Sequence, residues 1–306
     1  MINSKSRTIL YQKKSFSSDF FVKVLRFLLE NRLNKLSQRH LKRHRQLAVF
    51  SFDYVSNAIN IDGVYEVDEL EVFFDWLKHL NVDTIFNGSA LDVGANIGNH
   101  SLYFSDYFSN VFSFEPQPLT FELLQINSTL TNNIKCFNFG LSSSEKKESF
   151  VVDQNNIGGS HIVSEGASIG VNLNLKTLDS MIDVICFPVR LIKIDVEGHE
   201  YEVLLGAKEV ILKHQPIIIF EQHESDFIGN STKSLDLVRS FNYSKFAYIA
   251  KSPSPPRQLS YASKLVYSTI FRLIKGSSRS VVMVDDFKPS FYPFIIAIPD
   301  WLAIDA

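Results

Sequence analysis

Asp92, Gly94 and Gly98 form the pattern D-x-G-x-x-x-G, and Glu115 stands twenty-one positions beyond the first glycine. A short apolar run, Ala90 to Val93, enters this turn, and a segment with helical apolar spacing leaves it. Glycine is used where the backbone must take a positive φ or come close to a ligand, so the spacing predicts a strand, a bared turn and a helix. A second β-like run, Val111 to Phe114, ends in Glu115, and an acid at that offset can accept hydrogen bonds from both hydroxyls of a ribose lying over the turn. The dinucleotide pattern G-x-G-x-x-G is missing. The turn therefore suits a ligand with an amino-acid head and no pyrophosphate, its carboxylate facing helix N–H groups and its ammonium facing Asp92. S-adenosylmethionine is such a ligand. Gly94, Ala95, Asn96 and Gly98 are expected to give backbone contacts to its methionine half, with Asp92 pairing the ammonium or organising the turn. Glu115 is expected to bind the ribose, and Asn138 to Ser142, with Gly140 and Leu141 among them, to line the adenine side. The plainer alternatives are a tight turn with nothing bound and a Glu115 that caps the next helix. Pro118, just inside that helix, makes Gln117 the better cap.

A second block, Leu191 to Glu200, again reads as strand, polar tip and helix, and places Asp195, Glu197 and His199 at the tip. Glu221 and His223 end the next apolar run, so both tips fall at carboxyl ends of neighbouring strands, where open parallel sheets bind ligands. An alcohol has a pKa of about 16, so its oxygen needs a base or a metal ion to act as a nucleophile. Asp195 and Glu221 side by side, with His199 and His223 nearby, admit Mg2+ with water or substrate completing its octahedron. Alternatively, His199 or His223 is the general base, its imidazole oriented by Glu221 or Glu197. Asp195 as a helix N-cap is the structural alternative.

Taken together, Asn96-Ile97-Gly98, Phe114-Glu115-Pro116, Gly140-Leu141-Ser142, Gly158-Gly159-Ser160, Lys176-Thr177-Leu178-Asp179, Leu191 to Glu200 and Glu221-Gln222-His223 resemble the FkbM family of S-adenosylmethionine-dependent methyltransferases, over about Ile61 to Glu224. The resemblance implies an α/β, class I methyltransferase (Rossmann-like) fold: a three-layer sandwich on a mostly parallel seven-stranded sheet with an antiparallel last strand. It also implies methyl transfer to oxygen, often a sugar hydroxyl of a glycan, glycolipid or related natural product. Asp195-Val196-Glu197-Gly198 stands where amino-group methyltransferases carry a polar-proline-aromatic tip, which favours oxygen. An NAD-dependent oxidoreductase and a non-catalytic cofactor-binding accessory protein are the competing readings.

The positioning elements follow from the apolar pattern. Strands are expected at 90–93, 111–114, 134–139, 190–194 and 216–220, with helices at 99–108, 118–131 and 199–213 between them; such alternation implies a parallel sheet covered on both faces. Phe50 to Ile61 reads as a hairpin closed by Asp62-Gly63, Glu69 to Leu80 as a helix, and Ser142 to Ile169 as an irregular stretch. Tyr243 to Ile249 and Phe294 to Ile298 can supply a sixth and seventh strand, separated by a Pro/Ser-rich turn and the amphipathic segment Tyr261 to Ile274. The methyltransferase domain is expected at 47–306, with its core at 61–224 and its C-terminal strands and insertion at 225–306. Residues 1–46 form a basic extension with twelve Lys and Arg against Asp19 and Glu30, although the whole chain carries a net charge of −2. Phe20 to about Arg45 has apolar residues at helical spacing among basic ones, so the helix either packs on the domain or lies on an anionic membrane. No nucleic-acid partner is expected. Two cysteines, Cys136 and Cys186, give neither a disulfide framework nor a metal spacing, and fit a reducing cytosol. The expected location is cytoplasmic, with peripheral attachment to the inner membrane face if the helix binds lipid.

Overall fold

Apolar strands that alternate with helices need cover on both faces, and the computed structural model of the chain supplies it. It describes residues 20–80, 82, 84–151, 161–162, 170–185, 188–252, 260, 263, 266–267 and 278–304. The basic residues before Phe20, the Gly158-Gly159-Ser160 run, Cys186 and most of Ser252 to Ile274 lie outside these.

Among the described residues, three helices precede the sheet: α1 (Phe20–His40), α2 (Tyr54–Asp62) and α3 (Val67–His79). No residue of α1 is buried. The chain is tied to the domain from its end onward: His40 Nε2 lies 2.8 Å from Ile61 O, Arg45 reaches Asp106 at 2.5 Å, and Ala48 N donates to Asn127 Oδ1 at 2.7 Å. The hairpin expected at 50–61 is instead α2. Asp53 caps it by accepting from Ser56 N at 3.1 Å, and Asp62-Gly63, which resembles a hairpin turn, is its C-terminus, with Gly63 at φ 91°. In α3, Leu70, Phe73, Phe74 and Leu77 recur at helical spacing and are all buried.

The sheet begins with β1 (Ser89–Val93), α4 (Asn99–Ser105), β2 (Asn110–Phe114), α5 (Pro118–Ser128) and β3 (Ile134–Phe137). An inserted unit follows, with β4 (Gly140–Leu141), β5 (Lys146–Val151), β6 (His161–Ile162) and β7 (Gly170–Lys176). The chain returns through β8 (Val189–Ile194), α6 (Glu200–Leu205), α7 (Lys208–His214) and β9 (Ile217–Gln222). It ends in α8 (Lys233–Ser240), β10 (Lys245–Ser252), β11 (Ser278–Val284) and β12 (Tyr292–Ile298).

The main sheet has the order β11-β10-β12-β9-β8-β1-β2-β3. Its five strands β3, β2, β1, β8 and β9 are mutually parallel, and β12 runs antiparallel between β9 and β10. That is the expected seven-stranded arrangement with one strand more, because β11 pairs antiparallel with β10 at the edge. A second, four-stranded sheet, β4-β7-β5-β6, places β5 and β6 within the stretch read as irregular and β4 and β7 on either side of it. Leu173 and Leu175 are buried and alternate with polar Asn174 and Lys176, the period-two pattern of a half-buried strand. The single helix expected at 199–213 is split into α6 and α7 at Gly206, where a Cβ would lie 2.0 Å from Ser142 O. The glycine is needed because the loop after β4 packs directly onto the helix break. Two apolar clusters complete the layers. One includes Phe114, Ile194 and Phe220; the other includes Phe74, Phe104 and Ile219. Among the described residues, no helix is long and apolar enough to cross a membrane.

Candidate active site

A cavity opens at the carboxyl ends of β1, β2, β8 and β9. Its wall includes Gly94 to Ile97, Glu115, Lys193 to Glu197 and Glu221. One half is made mostly of backbone, the other of charged and aromatic side chains.

The backbone half is the turn after β1. Gly94 has φ 76°, and a Cβ there would stand 1.9 Å from Asp195 O, so the glycine allows the tips of β1 and β8 to touch. The N–H groups of Gly94 and Ala95 both donate to Phe114 O at 3.0 Å. Asn96 N donates to Glu115 Oε2 at 3.0 Å and Gln117 N to Glu115 Oε1 at 2.9 Å, so the carboxylate is clamped against the turn. Burial pushes the Glu115 pKa up to about 7, against the pull of these two N–H groups. Gln117 caps α5 by accepting from Thr120 N at 2.5 Å. Gly140 and Leu141 also line the cavity. Asp92, Gly98 and Asn138 are not among the lining residues. Asp92 lies wholly buried beneath the turn, where it accepts from Ser101 Oγ at 2.5 Å. Gly98 starts α4, and Asn138 donates to Glu115 O at 3.0 Å from an exposed position.

The side-chain half centres on Lys193, a buried lysine in a strand whose remaining residues, Arg190 apart, are apolar. Its Nζ lies 3.0 Å from Asp195 Oδ2 and 3.7 Å from Asp92 Oδ1. Burial alone would lower the lysine pKa, but the two aspartates more than offset it and hold the ammonium charged. Burial likewise works against an ionised Asp195, and Lys193 reverses that, keeping its pKa below the ordinary value. Glu221 shows the opposite shift. Burial and the negative charges of Asp195, Glu197 and Glu200 push it up to about 9. Two carboxylates thus face the cavity in different states, one ionised and one protonated at neutral pH.

Around them stand Tyr54, Tyr65, Glu66, His100 and Phe294. The Tyr54 and Tyr65 rings meet edge to face at 6.1 Å, and His100 stacks on Phe104 at 6.1 Å. His100 Nε2 is 3.2 Å from Glu66 Oε2 but off the line a hydrogen bond needs. His199 also lines the cavity; its Nε2 lies 2.9 Å from Ser142 Oγ, and burial lowers its pKa. His223 is not a lining residue: its side chain is 44% exposed, its ring lies 5.2 Å from Phe291, and its Nε2 is 3.8 Å from Glu221 Oε2. Three lining residues other than glycine, Glu66, Asn96 and Glu197, have positive φ, at 57°, 49° and 52°. Each such conformation costs on the order of 1–3 kcal/mol, and its concentration around one cavity marks a working site.

Sequence reasoning did not single out Lys193 or Tyr54 as site residues and gave His100 little weight, whereas Tyr65 and Glu66, read from their place before α3 as an edge of the pocket or as core packing, do line it. A charged residue inside an apolar strand was the available signal for Lys193, because lysine is almost never buried without a partner. Nothing local marks Tyr54 or His100. Asp195 and Glu221 fit Mg2+ poorly as a pair, since the Lys193 ammonium already neutralises Asp195 from 3.0 Å and would repel a divalent ion beside it. Donor atoms of Glu197, Glu221 and His223 do lie within 4.8 Å of one another at the exposed rim.

The strand order, the reversed β12 and the cavity over the Gly94 turn define a class I methyltransferase. The family model for the methyltransferase FkbM domain matches residues 92–245. The hexuronic acid methyltransferase AglP of Haloferax volcanii is 32% identical over 168 residues, covering 54% of this chain and 68% of that protein. The methyltransferase sdnD of Sordaria araneosa is 29% identical over 192 residues, covering 51% of this chain and 72% of that one. A solved FkbM methyltransferase from Methylobacillus flagellatus KT aligns at 19% identity with a TM-score of 0.36, over 72% of this chain and 53% of that one. The chain belongs to the FkbM family of S-adenosylmethionine-dependent methyltransferases. This removes the oxidoreductase and the non-catalytic accessory protein from consideration.

Proposed function

We propose that the enzyme transfers the methyl group of S-adenosylmethionine to a hydroxyl of a sugar, glycan, glycolipid or related natural product. The observation that carries this reading is Asp195, held 3.0 Å from the buried Lys193 and adjoining the Gly94 turn, with Glu221 at the tip of the neighbouring strand in the same cavity. The cofactor's methionine half would rest on Gly94 to Ile97, its ribose on Glu115 and its adenine toward Gly140 and Leu141. Asp92 and Asn138 would act from behind, fixing Lys193 and the Glu115 loop. When bound, the cofactor supplies an electrophilic methyl on a sulfonium. Asp195 would accept the hydroxyl proton as the oxygen takes the methyl group and the sulfonium becomes a neutral thioether, and Glu221 would donate a hydrogen bond to the acceptor. The relative that acts on a hexuronic acid supports a carbohydrate acceptor. Labelled methyl transfer into glycan and lipid fractions, followed by linkage analysis, tests this: label recovered as a methyl ether is expected, and label found only on nitrogen would contradict it.

The exposed Phe20, Phe21, Leu25, Phe27 and Leu28 of α1, set among Lys23, Arg26, Arg32 and Lys35, favour attachment to an anionic membrane over packing on the domain. Such attachment would bring the cavity to a lipid-linked acceptor from the cytoplasmic side. Cosedimentation with anionic vesicles at low salt, abolished by deleting residues 1–39 and by high salt, is the expected result. A full-length protein indifferent to vesicles would contradict it.

A further inference from the structure

Exposed apolar side chains lead from α1 along α2 to the mouth of the cavity. Phe52, just before α2, is 95% exposed, and its backbone holds a φ of 66°, which bulky residues rarely adopt. Tyr54 lines the cavity yet is 70% exposed, so it stands at the mouth. Ala58 and Ile61 lie four and seven positions further along α2 and share its face with Tyr54; Ile61 is 52% exposed. That face ends against α1. His40 Nε2 donates to Ile61 O at 2.8 Å, and a Cβ on Gly63 would stand 2.5 Å from the His44 ring and 2.7 Å from that of His40. Single exposed apolar residues are ordinary, but these adjoin a helix whose Phe and Leu side chains are exposed as well. The charge around them has one sign. From Phe20 to Arg43 the chain carries seven Lys and Arg against Glu30, which Arg26 already pairs at 2.7 Å. On α2 the one exposed acid is Asp62, since the capping Asp53 is buried.

We propose that Phe52, Tyr54 and Ile61 are a second contact with the anionic bilayer that α1 binds, and that they seat the cavity mouth against the lipid surface. This rests on the attachment proposed for α1 and adds which side of the domain faces the bilayer. An interfacial surface binds through the apolar area it buries and through the attraction of its basic residues to anionic headgroups, and here the two kinds of residue lie on connected elements. A tyrosine ring, apolar with a polar tip, suits the headgroup level, and the wholly apolar ring of Phe52 suits the acyl boundary. The left-handed backbone at Phe52 keeps that ring off the domain, where it would otherwise find cover. An acceptor anchored in lipid then enters the cavity past Tyr54.

The test uses the full-length protein and vesicles of phosphatidylcholine with and without phosphatidylserine. In Phe52→Trp the new indole should shift its emission to the blue on anionic vesicles and be quenched by brominated lipid, beyond any change that Trp76 and Trp301 give in the wild type. Phe52→Asn removes the ring but keeps a residue that takes a positive φ readily. It should weaken binding to anionic vesicles by about tenfold, with the melting temperature equal or higher. Its affinity for S-adenosylhomocysteine should be unchanged, because Phe52 does not line the cavity. The quenching decides. If the wild type binds these vesicles while the Phe52→Trp indole stays unquenched, α1 acts alone and the mouth faces elsewhere: this proposal fails and the attachment of α1 stands. If the wild type ignores the vesicles, both fail. A blue shift that appears without lipid and grows with protein concentration would mean that a second copy covers these residues, which also overturns the proposal.

Discussion

The two halves of the cavity are built by different means. The half proposed for the cofactor is a stretch of backbone, Val93 to Ile97, whose Gly94, Ala95 and Asn96 N–H groups donate to Phe114 O and the Glu115 carboxylate of the next strand. The acceptor half is a set of side chains from α2, the entry to α3, α4, β8, β9 and β12, and its charges are meaningful only in combination. One half is made by local conformation, the other by tertiary placement. Mutations should therefore divide into those that remove binding and those that remove turnover, and the exceptions should be residues where the halves touch.

Gly94 is such a point and should show the largest effect. A Cβ at 1.9 Å from Asp195 O meets backbone, not the cavity, so Gly94→Ala should displace the tips of β1 and β8 together. We expect a loss on the order of 4 kcal/mol or more of stability, with cofactor binding and methyl transfer lost in parallel; urea unfolding and calorimetry would measure it. Retained turnover would show that the halves are not joined there.

Lys193→Met comes next. It leaves Asp92 and Asp195 without their shared cation, and removing one partner of a buried ion pair costs about 3–5 kcal/mol. The pH–rate profile should also move, its acid limb shifting upward as Asp195 loses the charge that keeps it ionised. Lys193→Arg should restore part of both. Unchanged stability and an unmoved limb would remove Lys193 from the account.

Glu115→Ala sharpens the contrast from the other side. Losing charge-assisted hydrogen bonds to the ribose should weaken S-adenosylhomocysteine binding by about 1–3 kcal/mol, read by calorimetry. The rate at saturating cofactor should fall far less. A collapse of that rate with binding intact would reverse the assignment.

The smallest effect is a pH slope. Glu221 has a folded pKa of about 9, raised from 4.5, so the folded state holds a proton that the unfolded state has released. Stability from this group is present below pH 4.5 and is lost as pH rises toward 9. Glu115, at about 7, acts in the same sense over a narrower range. Melting temperatures of the cofactor-free enzyme should fall between pH 6 and pH 9, and Glu221→Gln should flatten that fall. An equal slope in the variant would mean that Glu221 is not the group holding the proton.

The contrast also explains what the sequence made legible. The Gly94 turn, Glu115, Asp195 and Glu221 sit at ends of strands whose apolar runs are unmistakable, so their convergence followed from topology. Asp92 has the residue type and spacing of a ligand group, but its burial and its contacts with Ser101 and Lys193 come from packing that no spacing encodes. Phe50 to Ile61 was misread because Asp-Gly serves both hairpins and helix ends, and only the Asp53 cap separates them. His100, Glu66 and Tyr54 reach the cavity from elements before the sheet or on its flank, by contacts distant in sequence.

The division of labour itself is tested most directly by Asp195→Asn, measured for cofactor affinity by calorimetry and for labelled methyl transfer in the same preparation. Removing the proton acceptor while keeping its shape should lower turnover by at least about 10²-fold and leave the dissociation constant for S-adenosylhomocysteine within a few-fold of wild type. Equal losses in both, or undiminished turnover, would contradict the account.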